Sequence, residues 1–335
     1  AISLAFMADP RVVGDGFLIR GAIVRSGTVG CLNPRANLRR PDRAPAMETT
    51  MRPPSTADRE KSARTLAGIG RVLLWNGGSV WIGRNAGQGQ RHSHHAIQLT
   101  LASTHPVHIR GGKDEVWNET FSAIVMPDRP HQFDGCGHAV ATVFVEPETV
   151  AGRALTSRYE QQDVCLLSDR SLDVHTAALH AVFDASGSDA AVIAAAQRVV
   201  EYLSDASLGD TAVDPRIASV LERIRDQPGE VMSLARAGSM AHLSPSRFRH
   251  LFIIQTGISF RAYLLWTRVG YAVAHGMAGG SWTDAAQQAG FADSAHLSRT
   301  CRRMFGISPT MLVREDRAAA QETSAKRKRY EPAAA

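Results

Sequence analysis

Five positions near the C-terminus recur at a fixed offset of 49 residues, and this repeat constrains the fold more than any other feature of the chain. Phe248, Phe252, Gly257, Ile258 and Ser259 return as Leu297, Cys301, Gly306, Ile307 and Ser308. Each copy is a basic amphipathic helix that ends in Gly-Ile-Ser. In the second copy, Trp282 to Phe291 precede the helix with a small residue, Ala286, then Gly290 four positions later and Phe291. A small residue lets two helices approach closely, and glycine tolerates the positive φ of a sharp turn. The aromatic then plugs the core between them. Two helices joined by such a turn, with the second one presented outward, make a helix-turn-helix.

The stretches HLSPSRFRHLFIIQTGISFRAYLLWTRV and TDAAQQAGFADSAHLSRTCRRMFGISP resemble the DNA-binding domain of AraC/XylS-type regulators across residues 214–313. The resemblance implies two helix-turn-helix motifs joined by a linker helix, here Ser259 to about His275. One chain would then read two successive major-groove segments about one turn, or ~34 Å, apart. Matching the motifs residue by residue, the first recognition helix is Pro245–Gln255, with Ser246, Arg249 and His250 facing bases. The second is Ser294–Met304, with Ser294, Ala295, Ser298 and Arg299 in the matching places. Arg pairs well with guanine, and Ser can bond several base edges. Arg247, Arg302 and Arg303 fit phosphate contacts, which position without specifying. Phe248, Leu251, Phe252, Leu297 and Phe305 are the expected core. The chain departs from the family pattern at Gly238 and His242 in the first motif, at Cys301 where an aromatic is usual, and at His275-Gly276. Losing a large core side chain typically costs ~2–5 kcal/mol unless neighbours repack.

Before this domain, short segments rich in Val, Ile, Thr and aromatics alternate with Gly-rich turns from Gly70 to about Pro147: Val72–Trp75, Ser79–Ile82, Ile97–Leu101, Val107–Arg110, Ser122–Met126 and Ala139–Val145. This texture predicts an all-β barrel or sandwich. It contains His92-Ser-His94-His95-Ala-Ile-Gln98 and Pro127-Asp-Arg-Pro130-His131, which resemble the two metal-holding motifs of cupins. His92, His94 and His131 match ligand positions, and Gln98 stands where those proteins have Glu. Two His one residue apart on a strand share a face, and imidazole suits Zn, Cu, Fe or Ni. The set is therefore read as an effector pocket or a divalent transition-metal site. His95, His105, His108 and His138 read most simply as surface residues.

The expected organisation is a disordered leader (1–65), a cupin-like β-barrel for sensing or dimerisation (66–150), a helical connector (151–210), the all-α DNA-binding domain (211–315) and a disordered tail (316–335). Met47 and Met51 are alternative natural starts, which would leave residues 1–46 untranslated. In the connector, Val174–Phe183 and Ala190–Leu203 read as helices, and the stripe Val192, Ile193, Ala196, Val199, Val200 and Leu203 could cover the barrel or a second chain.

Composition excludes several other classes. Hydrophobic residues make up 44% of the 335-residue chain, ordinary for a protein with real cores. The net charge of +6 is compatible with a polyanionic partner. Cys31, Cys136, Cys165 and Cys301 show no CxxC spacing, against a zinc finger or a disulfide-framed secreted module. Apolar runs fall short of the ~18–20 residues that span a bilayer, so no membrane partner and a cytoplasmic location are expected. The chain thus reads as an effector-responsive, possible homodimeric activator, with double-stranded DNA and RNA polymerase as partners and no catalytic residues. The competing readings are a cupin-type metalloenzyme with a DNA-binding tail and a sequence-indifferent DNA-compacting protein.

Overall fold

The computed structural model describes residues 68–85, 87–112, 116–205 and 213–314. The expected leader and tail lie outside them. The N-terminal part carries β1 (Gly68–Trp75), β2 (Gly78–Arg84), β3 (Ile97–Ala102), β4 (Val107–Gly111), β5 (Asn118–Thr120), β6 (Ser122–Val125), β7 (His131–Asp134) and β8 (Ala139–Val145). Helix α1 (Val150–Tyr159), strand β9 (Val164–Leu167), α2 (Arg170–Asp184) and α3 (Asp189–Ser204) follow. The helical part comprises α4 (Pro215–Asp226), α5 (Leu234–Met240), α6 (Pro245–Thr256), α7 (Phe260–Met277), α8 (Trp282–Gln288) and α9 (Ser294–Phe305), and a short strand, β10 (Leu312–Arg314), ends it.

The expected closed barrel does not form among the described residues. The strands make two sheets, a seven-stranded one in the order β10-β1-β2-β8-β3-β6-β9 and a three-stranded one in the order β5-β4-β7. Strand alternation decides what each face of the large sheet meets. On β3, Ile97, Leu99 and Leu101 share a core with α1, α2 and α3, whereas Ala102 packs with Val107 and Phe133 of the small sheet. Both faces of β3 are therefore covered, and Gln98 and Thr100 are buried at 3% and 0% exposure. The same alternation on β8 sends Ala141, Val143 and Val145 to the helical layer and Phe144 to the opposite side.

The described part of the expected connector, residues 151–205, packs into the N-terminal unit. β9 pairs antiparallel with β6, and α2 and α3 are a layer of the N-terminal core. Most of the apolar stripe of α3 is buried there: Val192, Ala196, Val199, Val200 and Leu203 lie in the core, with Ala195 beside them, while Ile193 is half-buried.

In the helical part, α7 serves two cores. Phe260 and Tyr263 pack with α4, α5 and α6 around Phe248 and Phe252. Trp266, Val269, Ala272, Val273 and Met277 pack with α8 and α9 around Leu297, Cys301 and Phe305. The two turns are equivalent. Leu243 N–H donates to Gly238 O and Phe291 N–H to Ala286 O, each at 2.8 Å. Gly290 takes φ +75°, and His242 takes φ +53° in the matching place. A non-glycine residue there costs ~1–2 kcal/mol, which the surrounding packing offsets. The other departures have packing partners: a Cβ on Gly276 would strike the Trp282 ring of α8, so glycine makes room for that indole. Cys301 is 1% exposed in the second core.

Candidate nucleic-acid interface and metal site

α6 and α9, the expected recognition helices, are each delimited by their own residues. On α6, the Ser244 side chain accepts from the Arg247 N–H, Pro245 opens the helix, and Gly257 ends it at φ +81°. On α9, Asp293 accepts from the His296 N–H, and Gly306 ends the helix at φ +71°. Such caps are worth about 1 kcal/mol each. The apolar faces turn inward through Phe248 and Phe252 on α6 and Leu297, Cys301 and Phe305 on α9; Leu251, expected in the core, is half-buried. That leaves Ser246, Arg247, Arg249 and His250 exposed on α6, and Ala295, Arg299, Arg302 and Arg303 exposed on α9, with Ser294 and Ser298 half-buried beside them. Among the described residues, none of these five arginines is held in an ion pair, while the other arginines of the first three-helix unit, Arg216, Arg223, Arg225 and Arg236, are. The recognition faces thus carry guanidinium groups free to meet an external anion.

The second cluster lies between the sheets. His92 and His131 face each other in an antiparallel bridge, with His92 N–H donating to His131 O at 3.0 Å and His131 N–H to His92 O at 2.9 Å. One ring nitrogen of each of His92, His94 and His131 lies within 4.8 Å of the others. The Nδ1 of His92 is 2.8 Å from Gln90 O, that of His94 is 2.9 Å from Ala96 O, and that of His131 is 2.9 Å from Arg129 O. A carbonyl only accepts, so all three Nδ1 atoms carry the proton and all three Nε2 atoms keep a lone pair. Burial depresses the pKa of all three rings, taking His94 to about 3. Protonation therefore does not fill the lone pairs. Gln98 Oε1 lies 3.0 Å from His94 Nε2 and 3.2 Å from His131 Nε2, and its amide nitrogen donates to Thr100 Oγ1 at 3.0 Å. The Gln98 side-chain amide thus faces the Nε2 atoms of both His94 and His131, and either its NH2 group or a cation beside its oxygen would meet their lone pairs. Carbonyl-anchored imidazoles are also the usual outer support of metal ligands. The four candidate residues are thus brought together, and they fit a small divalent transition ion.

His95, expected at the surface, is instead 6% exposed and pairs with Glu148 at 3.2 Å. It belongs to a buried network that sequence reasoning missed. Arg225 of α4 donates to Glu146 and lies 3.6 Å from Glu148, and the Tyr263 hydroxyl of α7 donates to Glu146 at 3.3 Å. Burial lowers the His95 pKa, but the Glu148 carboxylate more than offsets this and the net direction is up. Charged residues 79 positions apart leave no local signal. Beside this network the helical part docks on the sheet. Phe305 sits 4.6 Å from Trp81, 5.6 Å from Phe144 and 5.7 Å from Trp266 between ring centroids. A cavity of about 340 Å³ lies along the same seam, walled by Trp75, Trp81, Phe144, Trp266 and Tyr271, with Glu146 and Arg225 at its polar side. β10 pairs parallel with β1 and ties the segment after α9 to the sheet edge.

Residues 238–315 match a family described as a helix-turn-helix domain. No curated protein matches the chain. Among solved structures, the chain is similar to ToxT from Vibrio cholerae, with 11% identity and a TM-score of 0.44 over 70% of this chain and 97% of that one. It is also similar to a DNA-binding transcriptional dual regulator from Escherichia coli K-12, with 21% identity and a TM-score of 0.28 over 35% of this chain and 99% of that one. The DNA-binding domain of AdpA, solved with a target DNA, aligns at 22% identity and a TM-score of 0.27 over 35% of this chain and 98% of that one.

Proposed function

We propose that this chain, whose residues 238–315 match a helix-turn-helix domain, is an AraC-type DNA-binding transcription regulator that is effector-responsive and reads two adjacent major-groove segments, one with each recognition helix. The observation that carries the reading is the pair of equivalently capped helices, α6 and α9, each with an apolar face buried and an arginine-bearing face exposed. In their assigned roles, Ser246, Arg249 and His250 face one segment, and Ser294, Ala295, Ser298 and Arg299 face the other. Arg247, Arg302 and Arg303 grip phosphates. Base-edge contacts carry discrimination and phosphate contacts carry salt-dependent affinity.

The sensing element is the N-terminal two-sheet unit, and its tight docking on α7 and α9 gives an effector a physical route to the DNA-reading surface. Activation through contact with RNA polymerase belongs to the same proposal. Among the described residues no helix is long and apolar enough to cross a membrane.

Footprinting on the promoter region next to the gene, after selection of bound fragments from random DNA, tests this reading. Two protected segments about one helical turn apart on one face are expected. Substitutions in α6 and α9 should weaken different segments. A single protected segment, or equal displacement by unrelated competitor DNA, would sink it.

A further inference from the structure

We propose that the effector of this regulator is a divalent late first-row transition ion, held by His92, His94, His131 and Gln98, and that its binding is transmitted to the second recognition helix through Gly306. The proposal rests on the DNA-binding reading above and names what that reading leaves open.

The donor set selects the ion. Three imidazole nitrogens and one amide oxygen suit Zn, Ni, Co or Cu, while Mg and Ca prefer carboxylate-rich oxygen sets. Zn–N bonds are ~2.0–2.1 Å long, so small rotations of the three rings would close their nitrogens around one ion. No ligand is anionic, because Gln98 stands in the fourth place. A neutral set binds less tightly than one with a carboxylate, which suits reversible sensing.

The wiring is in the backbone. The Gln90 carbonyl accepts from His92 Nδ1 at 2.8 Å, and the Gln90 N–H donates to Gly306 O at 2.8 Å. Gly306 is the left-handed cap that ends α9. The approach is so close that a Cβ on Gly306 would lie 2.7 Å from His92 Nδ1 and would collide with the Gln90 carbonyl. A second path runs through a cavity of about 60 Å³ lined by His92, Gln98 and Phe133 on one side and Phe305 and Ile307 on the other. Two residues of the helical part therefore wall the space beside the metal ligands. An ion that fixes His92 fixes the Gln90 segment and, with it, the end of α9.

The sign of the response follows from exposure. In this docked arrangement Arg249 and His250 on α6 and Arg299 on α9 are exposed, so docking does not hide the recognition faces. Pinning α9 removes conformational freedom that DNA binding would otherwise have to remove, and the loaded form binds DNA more tightly.

The test uses the full chain, stripped with a chelator and titrated with Co(II), Zn(II) and Ni(II). The expected results are one ion per chain, a Co(II) ligand-field absorption, and an affinity for the selected promoter fragment that rises about fivefold or more on loading. His92→Gln should lose both the absorption and the DNA response. Because a misfolded variant would lose both as well, Gln98→Glu supplies the opposite direction. It should take up metal more tightly and shift the DNA response to lower metal concentration. No stoichiometric uptake would overturn the site. Uptake with unchanged or weaker DNA binding would overturn the transmission through Gly306. If neither the stripped nor the loaded chain prefers the promoter fragment over competitor DNA, the regulator reading itself falls, a result distinct from the other two.

Discussion

Replacing Arg225 by Met removes, among the described residues, the only cation other than His95 from a site that buries two carboxylates. In the native chain Arg225 is 15% exposed by side chain, Glu146 11% and Glu148 0%, so water does little to screen the group. Burial pushes the Glu146 pKa up, and the Arg225 guanidinium offsets part of that cost, so the net direction remains up. At ~4 Å and an effective dielectric near 20, one such attraction is worth about 4 kcal/mol. Breaking a buried pair by removing one partner typically costs ~3–5 kcal/mol, against a total stability of order 5–15 kcal/mol. Urea unfolding with a slope near the upper end of the usual ~1–3 kcal/mol per M should therefore show the midpoint falling by about 1–2 M. Fluorescence of Trp75, Trp81 and Trp266, which line the neighbouring seam, reports the transition. The double variant Arg225→Met with Glu146→Gln should regain a substantial part of the loss, because it leaves one fewer uncompensated charge. A midpoint shift below about 0.3 M for the single variant would match an exposed pair worth under ~1 kcal/mol. It would refute the view that this network clamps α4 and α7 to the end of β8.

Other substitutions separate the remaining assignments. Arg299→Ala should cost about 1–3 kcal/mol on the preferred DNA site and relax preference at one base pair, as competition among single-base site variants would reveal. Arg303→Ala should weaken all sites alike and reduce the slope of log affinity against log salt by about one; uniform losses from both would misplace the second recognition helix. Gly276→Ala should destabilise by about 1–3 kcal/mol through overpacking against Trp282, although alanine in an open helix position would gain ~1 kcal/mol over glycine. A raised melting temperature would show that the indole moves aside freely. Burial pushes the Cys301 thiol up to about 12, so alkylation of the native chain near pH 8 should spare it and modify exposed Cys136; rapid labelling of Cys301, read by peptide mass, would contradict its place in the core.

The helical part was legible because its signals are local. Ser244-Pro245 and Asp293 start the two recognition helices, Gly257 and Gly306 stop them, and each acts within one turn of chain. Expected limits of Pro245–Gln255 and Ser294–Met304 accordingly differ from the observed ones by one residue. The segments that form β1, β2, β3, β4, β6 and β8 were legible from their Val, Ile, Thr and aromatic content between Gly-rich turns. β5, β7, β9 and β10, three or four residues each like β6, were not singled out; they exist because a partner strand supplies their hydrogen bonds. The His92, His94, Gln98 and His131 set was visible as residue types at a spacing. Its convergence required the bridge between His92 and His131 and a β3 buried on both faces.

Sequence alone therefore determined the elements whose free energy comes from neighbours along the chain: caps, turns, periodic faces and the repeated motif. It also determined that α3 had an apolar stripe to bury. Only the tertiary structure decided what covers that stripe, that His95 is buried against Glu148, that the sheets stay open, and that Gly306 rests on the His92 segment. Those outcomes depend on burial and pairing between residues distant in sequence, where the same side chain is stable in water or in a core according to what the rest of the fold places beside it.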